Sequence, residues 1–91
     1  LGCFALVLEK VPAALAEKVA KSISIPVIGI GAGSGVDGQV LVTHDMLGMT
    51  HEFHPRFLRR YLDLYSEMTT AFKNYISDVK NKDFPSKKEQ Y

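Results

Sequence analysis

Residues 26–42, PVIGIGAGSGVDGQVLV, set five glycines between two apolar runs. Val27–Ile30 reads as a short strand that opens after Pro26, a residue unable to sit in the middle of a hydrogen-bonded ladder. Gln39–Val42 reads as a second short, buried strand. A glycine-rich turn after a strand often cradles phosphate, so the motif is tested for that first. A dinucleotide fingerprint needs G-x-G-x-x-G; counted from Gly29 and Gly31 its third position falls on Ser34, and from Gly31 and Gly33 on Val36. A P-loop needs lysine and a hydroxyl after its last glycine, whereas Gln39 and Val40 follow Gly38. Neither of these two dinucleotide registers fits, and the P-loop spacing lacks its lysine and hydroxyl. The glycines Gly29, Gly31 and Gly33 are left with two roles: turning the backbone at a strand's C-terminal end, or letting a ligand approach it closely.

Upstream, Cys3–Leu8 (CFALVL) is a continuous apolar run that reads as a strand buried on both faces. Pro12 suits a helix's first turn, and Leu15, Ala16, Val19 and Ala20 carry helical spacing. That helix should stop near Ser22, because Ile25 before Pro26 is driven towards extended backbone. Strand, helix and strand in this order predict a βαβ unit with parallel strands. Glu9 directly follows the first strand, at the end where α/β sheets and barrels place their chemistry. On residue types alone two readings stand for it: a carboxylate at the mouth of a site, or a solvated turn residue that caps the helix.

Downstream, THDMLGMTHEFH (43–54) gathers His44, Asp45, His51, Glu52 and His54. A zinc-protease helix reads H-E-x-x-H, and His51-Glu52-Phe53-His54 falls one residue short. His44 and Asp45, past a strand end, suit a hydrogen-bonded pair or a pocket lining. HDMLG reads as a short helical turn closed by Gly48. From Pro55 to about Lys80 apolar residues recur every three or four positions, which predicts one long helix of roughly 35–40 Å. Arg56, Arg59 and Arg60 would then occupy its first turns, against the macrodipole, and are expected to meet acidic groups of a neighbouring element or subunit, with anion binding as the alternative. Residues 81–91 read as a polar tail.

The 91 residues carry a net charge of +1, 46% hydrophobic and 23% charged side chains, which gives no electrostatic reason to expect nucleic acid or an anionic membrane. No run approaches a membrane span. A single cysteine, Cys3, excludes a disulfide within the chain and makes a cytoplasmic location the expectation. The opening at Leu1, straight into an apolar run, suggests a start in mid-protein. Three strands buried on both faces also need more cover than two helices supply.

The runs VLE-VP, IPVIGIGAG and DGQVLV-HD-LG, followed by FHPRFLRRY and FPSKKEQY, resemble the ketopantoate hydroxymethyltransferase family along essentially the whole chain. The resemblance implies an α/β fold, a (β/α)₈ TIM barrel of the phosphoenolpyruvate mutase and isocitrate lyase superfamily. This chain would be its C-terminal part, about strands six to eight with their helices. It implies transfer of a one-carbon unit from 5,10-methylenetetrahydrofolate to 3-methyl-2-oxobutanoate, giving 2-dehydropantoate. It also implies a large homo-oligomer and a Mg²⁺ ion polarising the keto acid.

Glu9 matches the glutamate of VLE-VP that the family uses as proton acceptor, and an apolar wall nearby would raise its pKa to suit the task. The Gly29–Gly33 loop would then line the pocket, with His44 and Asp45 in support. The family's metal-binding aspartates belong to earlier strands, so no metal ligand is expected in this segment. The 91 residues by themselves are expected to be inactive. A related lyase or mutase of the superfamily, and a truncated, non-catalytic assembly module, are the competing expectations.

Overall fold

A computed structural model describes all 91 residues. Its elements run β1 (Leu6–Glu9), α1 (Ala13–Ser22), β2 (Val27–Ile30), β3 (Gly38–Gln39), α2 (Thr43–Met46) and α3 (Leu64–Lys80). The three strands form one parallel sheet in the order β1-β2-β3, with Leu6 opposite Val27 and Glu9 opposite Ile30. The expected βαβ unit is therefore present and the class is α/β. Pro12 stands at the N-cap of α1, where no side chain caps the helix. The capping role open to Glu9 is thereby excluded.

The sheet has one covered face and one open face. Register partners in a parallel pair point to the same side, and successive residues alternate. Leu6, Leu8 and Val27 therefore share one face, and Val7, Glu9, Ile28 and Ile30 share the other. Val27 is 0% exposed, as is Ala16 of α1, while Val7 is 59% exposed. The expectation of a first strand buried on both sides holds for only one of them. Parallel sheets ordinarily bury both faces, because each crossover helix covers one. One sheet-packing helix covers only one.

The ends of the strands depart from the sequence reading for local reasons. β1 begins at Leu6 rather than Cys3, since β2 starts at Val27 and residues before Leu6 have no ladder to join. β3 stops at Gln39, although Val40 N–H still donates to the Gly29 carbonyl at 3.0 Å. Val42 then becomes the N-cap residue of α2, which ends the extended run. Asp37 fastens the entry to β3: its N–H donates to the Val27 carbonyl, and its carboxylate accepts from Val27 N–H at 2.7 Å. In the complete polypeptide, Asp37→Ala leaves the buried Val27 N–H without an acceptor, and chemical denaturation should show a loss of about 1–3 kcal/mol. Asp37→Asn, which keeps an acceptor oxygen, should lose less.

The largest correction concerns residues 55–63. The helix predicted from Pro55 starts only at Leu64, so its 17 residues span about 25 Å. Tertiary hydrogen bonds displace the missing turns. Arg60 Nη2 donates to the carbonyls of Thr50, His51 and Phe53 at 2.7, 3.1 and 2.8 Å. Tyr61 N–H donates to the Met46 carbonyl, Leu64 N–H to Leu47 and Tyr65 N–H to Gly48. Leu58, 4% exposed, anchors the segment. The three arginines thus precede the helix, and Arg60 meets carbonyls rather than the expected acidic groups; the chain's one ion pair joins Lys21 to Glu17.

Asp63 starts α3 instead, accepting from Ser66 Oγ at 2.7 Å and Ser66 N–H at 3.3 Å. The Ser66 hydroxyl first, then its N–H, hold the Asp63 carboxyl below its usual value of 3.8, with smaller help from the His51 and Arg60 charges against desolvation. A folded pKa below the unfolded one means this stabilisation is present above pH 3.8 and is lost as pH falls through the depressed value. The protection of the Ser66 amide relative to its unstructured exchange rate should therefore fall in that acid window, and Asp63→Ala should bring the same loss of protection to neutral pH.

Few side chains are shut off from water: seven residues of 91 are buried, and α3 has none of them. The radius of gyration is 21.5 Å, against about 12 Å for a compact body of this length. Phe72, Tyr75, Ile76 and Val79 lie bare along α3, and Phe84 of the tail packs edge-on to Tyr75 at 5.6 Å. No helix is long and apolar enough to cross a membrane.

Candidate active site at the strand ends

Glu9 is the last residue of β1, beside Ile30 at the end of β2. Lys10, with φ of 52°, turns the chain there, and its N–H donates to the Ile30 carbonyl at 3.0 Å. The turn leaves the Glu9 side chain on the open face, exposed and free of any hydrogen bond or ion pair within the chain. The apolar wall expected around it is not supplied at β1, where Val7 on the same face is 59% exposed; on that face only Ile30 is shut off from water.

A cavity of about 760 Å³ opens next to it, on the same face. Ile30 and Val40 form its strand side, the turn at Gly31, Gly33 and Ser34 one rim, and Phe57, Arg59 and Tyr61 the other. The glycine turn reaches this position through backbone conformations that L-residues avoid: Gly31 has φ of +66°, and a Cβ there would stand 3.1 Å from the Phe57 ring. The loop approaches a neighbouring ring this closely only as glycine. Gly29 does not reach the cavity; a Cβ on it would meet the Val36 side chain at 3.0 Å. Gln39 braces the turn by donating from Nε2 to the Gly33 carbonyl at 2.8 Å.

The family model for ketopantoate hydroxymethyltransferase matches residues 1–87. The chain belongs to the ketopantoate hydroxymethyltransferase family. Among curated relatives named 3-methyl-2-oxobutanoate hydroxymethyltransferase, that of Christiangramia forsetii is 76% identical over all 91 residues, which make up 34% of its length. That of Flavobacterium johnsoniae is 71% identical and that of Porphyromonas gingivalis 70%, again across the whole chain and over 34% and 33% of theirs. The chain thus spans about a third of the length of the ketopantoate hydroxymethyltransferases it matches.

The other polar residues singled out in the sequence lie elsewhere. His44 and Asp45 sit in α2 and do not line the cavity, to which α2 contributes Met46. His51 stacks on Tyr65 with ring centroids 4.5 Å apart, a packing role. No three His, Cys, Asp or Glu side chains gather into a group able to hold a metal ion. These residues do not fit the Mg²⁺ that the resemblance implies, and no step of the chemistry below runs through it. Sequence reasoning missed Phe57 and placed Arg59 and Tyr61 in a helix, Arg59 with an anion-binding alternative and Tyr61 as packing surface. Asp63, a preferred N-cap residue just before the apolar Leu64, is the signal that would have moved the helix start and freed them.

Proposed function

We propose that this chain is the C-terminal part, about strands six to eight, of a (β/α)₈ barrel. It contributes the proton acceptor of an enzyme that hydroxymethylates 3-methyl-2-oxobutanoate from 5,10-methylenetetrahydrofolate. The observation that carries the reading is Glu9 on the uncovered face of a parallel sheet, at the strands' C-terminal ends. Barrel enzymes keep their chemistry at that end, and an uncovered parallel face with both outer edges unpaired is the arrangement a closed barrel completes.

The chemistry asked of Glu9 is narrow. The proton on C3 of the keto acid is acidified by the adjacent carbonyl, and an ionised carboxylate within hydrogen-bond reach accepts it. The electron pair left behind delocalises into an enolate, which forms the new carbon–carbon bond to the donor's methylene carbon. Water supplies the hydroxyl of the product, and tetrahydrofolate leaves. Closure of the second face by the remaining strands would place apolar walls around Glu9 and exclude water from the proton it takes. A Mg²⁺ ion would be held by carboxylates outside these 91 residues. The bare stripe of α3 suits packing against the outer helical ring or another subunit of a homo-oligomer, and the exposed, unpaired Cys3 suits a cytoplasmic protein.

The test is an assay of the complete polypeptide with the keto acid and methylenetetrahydrofolate, alongside solvent-deuterium exchange at C3 without the donor. Transfer that needs both substrates, with donor-independent exchange, supports the reading. Exchange without transfer would point to a lyase or mutase, and neither activity would overturn the proposal. The isolated 91 residues should show neither.

A further inference from the structure

Residues 55–63 are pulled towards two backbone conformations at once, a conflict between local preference and tertiary bonding. Leu58, Tyr61 and Leu62 continue the apolar period of α3 through Tyr65 and Met68, and Pro55 suits the first position of a helix. Against the helix stand the bonds from Arg60 to the carbonyls of Thr50, His51 and Phe53, the bond from Tyr61 N–H to Met46, and the Asp63 cap. Arg56, Arg59 and Arg60 also oppose a helix that begins at Pro55, because its N-terminal dipole repels cations. One side chain, that of Arg60, supplies three of the hydrogen bonds that hold the loop. All of these bonds are already made within residues 46–66.

We propose that residues 55–63 are a two-state segment: a loop locked by Arg60, and a minor form in which they join α3 as about two and a half further turns. Forming those turns would draw the Arg60 guanidinium out of its cage of carbonyls and break the bond from Tyr61 to Met46. Leu64 and Tyr65 would exchange the carbonyls of Leu47 and Gly48 for those of Arg60 and Tyr61, so their N–H groups stay satisfied. Phe57, whose ring stands 3.1 Å from where a Cβ on Gly31 would lie, would leave the glycine turn after β2. The state of the segment thus sets whether that turn is covered or open, whatever the reaction at the strand ends.

Arg60→Met, which keeps the side chain's reach and removes its donors and charge, is compared with Arg60→Lys and the parent. Hydrogen–deuterium exchange of the complete polypeptide, read by mass spectrometry, follows the peptides that cover 58–63. In the loop the amides of Arg59, Arg60, Leu62 and Asp63 donate to nothing in the chain; in the longer helix each would bond to the carbonyl four residues back. Exchange there should therefore be about twofold or more slower in Arg60→Met, the protection given by a helical population of one half or above. Arg60→Lys should stay close to the parent, because an ammonium still donates to the carbonyls. Adding Arg59→Gly, a poor helix former, to Arg60→Met should restore fast exchange. Unchanged or faster exchange in Arg60→Met shows that Arg60 only stiffens a loop and overturns the proposal, as does protection that survives Arg59→Gly. Peptides from β1 and α1 report the rest of the fold in the same sample; if they too exchange faster, the smaller change Arg60→Gln decides by the same criterion.

Discussion

Glu9→Gln in the complete polypeptide lowers turnover about 10²–10⁴-fold, the range expected when a general base is removed. The substitution keeps size and shape, and the carboxylate has no partner in the chain to disturb, so the melting temperature should move little. Binding of the keto acid should be preserved, because the proposed reading puts the groups that grip it outside these residues. The most direct readout is C3 deuterium exchange, which should fall together with kcat. A variant that turns over at nearly the parent rate would remove Glu9 from the chemistry. Loss of exchange with a fully folded protein would instead isolate its role to the proton.

The second large effect is structural. Gly48 has φ of +69°, and a Cβ there would collide with the Leu62 carbonyl oxygen. Gly48 also follows the short helix α2, and its own carbonyl accepts from Tyr65 N–H. Gly48→Ala should therefore meet two costs: about 1–2 kcal/mol for a left-handed alanine, and a further 1–3 kcal/mol or so for forcing residues 61–65 away from α2. If the variant's denaturation midpoint shifts by no more than the backbone part, the collision with Leu62 is relieved at no cost and the account of this joint is wrong. Because Tyr61 and Phe57 belong to the displaced segment, Gly48→Ala should also alter the cavity rim.

The elements that were legible in the sequence are those fixed by local chemistry. Pro12, Pro26 and the apolar runs around them define β1, α1 and β2, because proline restricts backbone whatever surrounds it. The P-loop's failure was also readable, since it depends on residue type at fixed offsets; the G-x-G-x-x-G spacing does occur at Gly33, Gly35 and Gly38, a register the sequence reading passed over, and it is the strand β3 in place of a helix at Gly38 that excludes a dinucleotide fingerprint. Residues 55–63 were not legible. Their apolar spacing continues the period of α3, yet bonds from Arg60 to carbonyls up to ten residues away and from Tyr61 to Met46 outweigh the helix. Helical spacing reports a face and cannot report which distant carbonyls compete for the backbone. The cavity rim therefore stayed hidden with them. Glu9 was placed at its strand end by the pattern alone, while its role rested on resemblance, because an exposed carboxylate after a strand is chemically ordinary.

The sheet's two outer edges, one on β1 and one on β3, carry consequences for how such a molecule could be divided. Each edge is a row of unsatisfied backbone donors and acceptors awaiting a specific neighbour. Produced alone, the piece should stick to itself along those seams. On the barrel reading proposed above, a separate polypeptide carrying the neighbouring strands would find two independent sets of hydrogen bonds with which to dock.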